Sequence, residues 1–145
     1  MKKLFLSLAA FSAIVSCSDD DTAAPEPTII GTWKIGKSIT YQTSTNKTIT
    51  QEPNGCSVLN TIDFREADAR LVGYAAKDGK CVEDFAVTTK YTYNPETKEM
   101  ILKDNVNIYS TVIQLTKMNM VIEEHMDIDM DGIDDRVTTY FTRVK

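Results

Sequence analysis

Between positions 85 and 93 the chain alternates without a break: Phe85, Val87, Thr89, Tyr91 and Tyr93 are separated by Ala86, Thr88, Lys90 and Thr92. Successive side chains of an extended strand point to opposite faces, so this run gathers its large residues on one side and predicts a half-buried strand. The same period recurs beyond Trp33. Trp33, Ile35, Ile39 and Tyr41 are expected to share one face of a strand over 31–41, with a short strand over 48–50. Residues 59–64 and 69–74 read as a hairpin about Arg65 to Asp68, and Asn94 to Thr97 reads as a turn. Strands over 100–103, 108–115, 118–130 and 136–144 complete the series. No convincing helical spacing lies between them. With 145 residues, 42% of them hydrophobic, there is material for one core. Short strands joined by turns fit a sandwich or a barrel, and closure into a barrel removes exposed edges. The expected fold is an all-β, antiparallel up-and-down β-barrel of about eight strands over 29–145. An interior of that size is filled by side chains or holds one small ligand.

The first residues have a different character. Lys2 and Lys3 precede an apolar run from Leu4 to Val15, the layout of a secretory signal peptide over 1–16. The run is shorter than the roughly 20 apolar residues that span a bilayer. Ile14-Val15-Ser16-Cys17 resembles the bacterial lipobox, which implies cleavage before Cys17 and lipidation of that residue. Residues 17–28 carry Asp19, Asp20 and Asp21 with two prolines and little apolar content, so they are expected to form a flexible acidic tether. An acidic triplet at this place resembles the signal by which Bacteroidetes export lipoproteins to the outer leaflet of the outer membrane. The expected location is the outer membrane, reached through the Cys17 lipid, with cell-surface exposure as one outcome. Acyl chains contribute about 0.8 kcal/mol per buried methylene, so a multiply acylated Cys17 anchors the chain without help from the folded part.

Setting Cys17 aside leaves two cysteines, Cys56 and Cys81. An oxidising compartment favours a disulfide between them. A zinc site lacks support, because there is no CxxC pair and His125 is the sole histidine. The net charge of -5 excludes a broad basic footprint and with it nucleic acid as a partner.

Gly31-Thr32-Trp33 opens the first strand directly after the tether. With the lipobox, Cys56 shortly before an apolar strand ending in Phe64, the second cysteine at Cys81 and the ending Tyr140 to Lys145, it resembles the lipocalin-like lipoproteins of Bacteroidetes over about 29–145. The resemblance implies that Trp33 packs across a closed barrel end and that a ligand cavity lies at the other. The Thr-Asp-Tyr signature of many lipocalins is not evident, and nothing after Val144 corresponds to their C-terminal helix.

One local pattern has a mechanism of its own. Asp127, Asp129 and Asp131 stand at positions 1, 3 and 5, Gly132 at 6, Ile133 at 7 and Asp135 at 9, the oxygen-ligand spacing of a Ca²⁺ loop in which Ile133 supplies its carbonyl. Position 12 is Thr138 where a bidentate Glu would stand. The competing reading is an acidic hairpin: the three Asp face solvent from a strand, and Asp131-Gly132 is its two-residue turn. His125 beside Glu123 and Glu124 is expected on the outer face. Tyr91, Tyr93 and Tyr109 are candidates either for a pocket lining or for the core. No catalytic constellation is visible, so a non-enzymatic protein is expected, requiring no cofactor, with Ca²⁺ as the one candidate ion. Two functions stand side by side: a barrel binding a small apolar or amphipathic molecule, and an accessory envelope protein acting on a protein partner through its surface loops.

Overall fold

A computed structural model describes residues 26–103 and 107–144. The expected signal peptide, the expected lipidation site Cys17 and most of the expected tether lie outside the described residues. Among the described residues nine strands run in chain order: β1 Gly31–Gln42, β2 Lys47–Gln51, β3 Thr61–Phe64, β4 Asp68–Lys77, β5 Lys80–Tyr93, β6 Glu99–Lys103, β7 Asn107–Leu115, β8 Asn119–Met126 and β9 Asp135–Arg143. A short 3-10 turn, Gly55–Leu59, precedes β3, and the described residues contain no α-helix. From β3 onward each strand pairs antiparallel with the next, and β9 returns to β1. The result is a closed eight-stranded up-and-down barrel. β2 is an extra strand folded back on the second half of β1, whose first half pairs with β3.

The longest hairpin, β4 with β5, turns at Asp78-Gly79. Both residues have positive φ, 51° and 73°, the combination of a type I′ turn that matches the twist of the flanking strands. This Asp-Gly pair extends both strands well past the expected ends at Tyr74 and Phe85. The disulfide forms as expected between Cys56 and Cys81, tying the 3-10 turn to the start of β5.

β1 departs from simple alternation. Ile35 pairs with Phe141 but Ser38 pairs with Thr139, so β1 carries one more residue than β9 across this step. Gly36 lies in this bulge, where a Cβ would come within 2.9 Å of the Tyr140 carbonyl oxygen. A bulge of one residue reverses the faces of everything beyond it. Ser38 and Thr40 therefore point inward, and Ile39 and Tyr41, expected on the Trp33 face, point outward. Thr40 is buried accordingly, while Tyr41 carries the Arg136 guanidinium over its ring.

β8 stops at Met126 and does not continue to Met130. Asp127 accepts from the amides of Asp131 and Gly132, which draws the chain into a compact loop where extension was expected.

The core fills one end only. Trp33, Phe64, Met100, Val112 and Met120 are almost wholly buried, joined by Ile29, Ala69, Tyr91, Ile122 and Phe141. Phe64 and Tyr91 meet edge to face, centroids 5.2 Å apart. The Trp33 indole donates to the Ile29 carbonyl at 2.7 Å, so the residues leading into β1 pass directly beneath it. Arg143 seals the outside of this end. Its guanidinium lies 4.1 Å from the Trp33 ring centre and donates to the carbonyls of Lys117, Ile30 and Thr28.

Candidate functional site

Strand register sorts the inward positions into a packed floor and an open cup. On β8 the inward sequence runs Met120, Ile122, Glu124, Met126, and on β7 it runs Val112, Ser110, Ile108. The first members of each belong to the core and the later ones lie above it. On β4 and β5 the inward pairs are Ala69 with Thr89, Leu71 with Val87 and Gly73 with Phe85. Phe85 and Val87 face inward yet are 44% and 47% exposed, and Ile108 is 39% exposed. Large apolar side chains on the inner side of the barrel that still touch solvent show that this end is not packed shut. Gly73 is required here: the Phe85 ring lies so close that a Cβ would meet it at 2.1 Å. Phe85 is thereby laid against the wall of the cup.

The opposite wall is polar. Ser110, itself buried, donates to Glu124 Oε1 at 2.8 Å, and Ser38 shares a hydrogen bond with Thr139 at 3.4 Å. Thr40 lies one inward position nearer the mouth on β1. The mouth itself is braced by Asp135, 1% exposed, which accepts from the amides of Thr43 at 2.9 Å and Ile128 at 3.3 Å.

That brace corrects part of the expected Ca²⁺ set. Asp127, Asp129 and Asp131 do converge, with a carboxylate oxygen of each within 4.8 Å of the others. Asp135 is not part of the group, because its carboxylate faces inward and is held by two amides. The Ile133 amide donates to Asp131 Oδ1, and Gln42 donates to Asp129 Oδ2. Asp129 has its carboxyl raised above the usual range, first by desolvation and then by repulsion from Asp131 and Asp135. Asp131 is lowered by hydrogen bonds from the Ser44 hydroxyl and the Ile133 amide. The acids are thus satisfied by amides of the loop itself and by Gln42 and Ser44 of the neighbouring β1–β2 hairpin, and their spacing needs no ion to explain it.

The remaining candidates disperse. His125 is on the outer face as expected, 3.4 Å from Glu123 Oε1. Tyr91, Tyr93 and Tyr109 do not meet in one pocket. Tyr91 is in the floor, its hydroxyl donating to the Arg65 carbonyl at 2.6 Å, and burial raises the phenols of both Tyr91 and Tyr93. Tyr109 is outside and 65% exposed. It borders a surface cleft of about 380 Å³ across β6, β7 and β8 whose outward residues include Ile101, Glu123 and His125. The sequence reading missed the cup's polar residues, Glu124 among them. Their signal was the outward expectation for His125, since alternation then turns its neighbour Glu124 inward.

A closed antiparallel barrel with one sealed and one open end is the architecture of small-ligand binding barrels. The chain belongs to the lipocalin-like domain family, which it matches over residues 29–122, from the residue beneath Trp33 to the floor of β8. Among solved structures it is similar to bovine odorant binding protein in complex with undecanal, at 14% identity, TM-score 0.46, covering 84% of this chain and 77% of that one. A dog lipocalin allergen is similar at 16% identity, TM-score 0.44, covering 80% and 74%. Aphrodisin, a sex pheromone from female hamster, is similar at 8% identity, TM-score 0.43, covering 79% and 74%. No curated protein sequence matches.

Proposed function

We propose that this lipocalin-like protein is a non-enzymatic, lipid-anchored component of the bacterial outer membrane that binds a small apolar or amphipathic molecule in the cup. The observation that carries the binding role is the exposure of Phe85, Val87 and Ile108 at inward positions above a solid floor. Apolar area left in water inside a concave, preformed wall is what a ligand of matching shape would cover. The test is titration with N-phenyl-1-naphthylamine, whose fluorescence rises in apolar surroundings. Saturable binding by the native protein, weakened at least tenfold in Val87→Asp with the fold intact, is the expected result. Absence of binding would end the ligand reading. Anchoring rests on the resemblance of Ile14 to Cys17 to a lipobox, and is tested by the mass of the N-terminal peptide and by release of Cys17→Ala from the membrane fraction.

A second reading, action on a protein partner, draws support from the outer cleft and the exposed Tyr109 beside it. Exposed tyrosines are favoured contact residues. Loss of a co-purifying protein in Tyr109→Ala, with naphthylamine binding unchanged, would favour it.

A further inference from the structure

The cup's two walls differ in chemistry, and the difference specifies the ligand's head group. On one side Leu71, Val87 and Phe85, from β4 and β5, are apolar. In the barrel's circular order β8 lies opposite β4. There Glu124 occupies the inward position directly above Ile122 of the floor, flanked in register by Ser110 of β7 and Val137 of β9. Ser110 donates to one of its oxygens, Oε1. Thr139 and Ser38, the neighbouring inward pair, add hydroxyls. Among the described residues, the cations at inward register positions stand away from it along the strands: Lys47, Lys77 and Lys80 at strand ends on the rim, and Arg143 committed to the sealed end. The remaining ion-pairing groups of this part of the barrel face outward, with Arg136 near Glu123 and Lys37 over the Tyr140 ring.

We propose that Glu124 is the recognition residue of the cup and that the ligand class is a cationic amphiphile, an alkyl or aryl amine whose ammonium group bonds the Glu124 carboxylate while its apolar body lies along Leu71, Val87 and Phe85. This rests on the cup being a binding site. A carboxylate withdrawn toward a packed floor keeps acceptor capacity beyond the one hydroxyl it receives, and an ammonium group supplies donors and opposite charge together. The same carboxylate repels a fatty acid head group at the same depth, so the site selects as well as binds.

The experiment displaces N-phenyl-1-naphthylamine from the native protein at neutral pH with decylamine, 1-decanol or decanoate, each kept below its micellar concentration. Decylamine is expected to compete at least tenfold better than decanol, and decanoate worse than decanol. In Glu124→Gln, which keeps the shape and the Ser110 contact, the preference of decylamine over decanol is expected to fall to within twofold. Equal competition by all three in the native protein would overturn the head-group assignment while leaving the cup intact. A selectivity that survives Glu124→Gln would overturn the role of Glu124. Failure of the naphthylamine to bind the native protein would instead refute the underlying ligand reading. Far-UV circular dichroism and the urea midpoint of the variant show that it has folded.

Discussion

Replacing Cys56 and Cys81 together by alanine is expected to cost about 3.5 kcal/mol of folding stability. The two cysteines are 25 residues apart, and releasing a loop of that length restores to the unfolded chain roughly 12 cal/mol/K of entropy. Spread over a domain of about 115 residues, that loss corresponds to a fall of roughly 14 °C in Tm. The structure says where the loss is felt. The bridge holds the 3-10 turn against the far part of the β4–β5 hairpin, where residues 80–88 of β5 are exposed on both faces and little apolar burial resists fraying. Urea unfolding with both tryptophan fluorescence and far-UV circular dichroism is the assay, because Trp33 reports the sealed end while dichroism reports all strands. At a typical slope of about 1.5 kcal/mol/M the midpoint should fall by roughly 2 M, with a steeper slope because the uncrosslinked chain exposes more surface. A loss below about 1 kcal/mol with a cooperative transition would refute the reasoning. It would mean that the hydrogen bonds of this corner, Ile35 N–H to the Asn60 carbonyl at 3.2 Å and Tyr74 N–H to the Asn60 side-chain Oδ1 at 2.9 Å, suffice alone.

Arg143→Ala removes three hydrogen bonds to carbonyls and the cover over Trp33, and is expected to cost about 2–3 kcal/mol in urea unfolding, with Arg143→Lys recovering less than half because one ammonium cannot reproduce the planar fork. Asp135→Ala strands the Thr43 and Ile128 amides at the mouth and should cost about 2–4 kcal/mol by the same measurement. Asp129→Asn is expected to raise stability at neutral pH and low salt. A carboxyl raised in the folded state opposes folding once pH climbs through its folded value, so the gain should vanish below the ordinary 3.8 and shrink in high salt. Asp131 has the opposite sign: its lowered carboxyl adds stability above 3.8 that is lost as pH falls, so Asp131→Asn should destabilise at neutral pH. Millimolar Ca²⁺ against chelator is expected to move Tm by less than about 1 °C; a rise of several degrees would show that Asp127, Asp129 and Asp131 hold an ion that stabilises the native state.

Strand existence was legible because burial on one face writes itself as alternation, and all nine strands lie at or near expected positions. Their lengths were less so. Asp78-Gly79 is a strong hairpin signal, yet the residues around it are polar or small, and a search for apolar alternation passes over an exposed turn. The β8 end failed for a different reason: Met126, Ile128 and Met130 continue the alternation, but the Asp127 side chain competes for backbone amides, and that competition is a matter of hydrogen bonds rather than of hydropathy. Closure was expected from the absence of helices, from the cost of exposed edges and from the likeness to a family rather than from any local pattern, since the β1–β9 pairing joins residues about a hundred positions apart.

The candidate site was legible least of all, because its chemistry depends on the single bulged residue between Ile35 and Ser38. Without it, alternation from Trp33 would carry Ile39 and Tyr41 into the barrel, and Ser38 and Thr40 would face solvent. The wall beside Glu124 would then be aliphatic and aromatic, and a carboxylate there would have only Ser110 for company. With the bulge, Ser38 reaches Thr139 and a hydroxyl-bearing wall faces Leu71, Val87 and Phe85. Burying polar groups near the floor is tolerable only when they are paired, and the two side-chain hydrogen bonds of this wall provide that pairing. Deleting Lys37 should remove the extra residue yet leave Ser38 opposite Thr139 and Thr40 opposite Val137, so both stay inward and head-group selectivity in the naphthylamine competition survives; its loss would refute this account of the bulge.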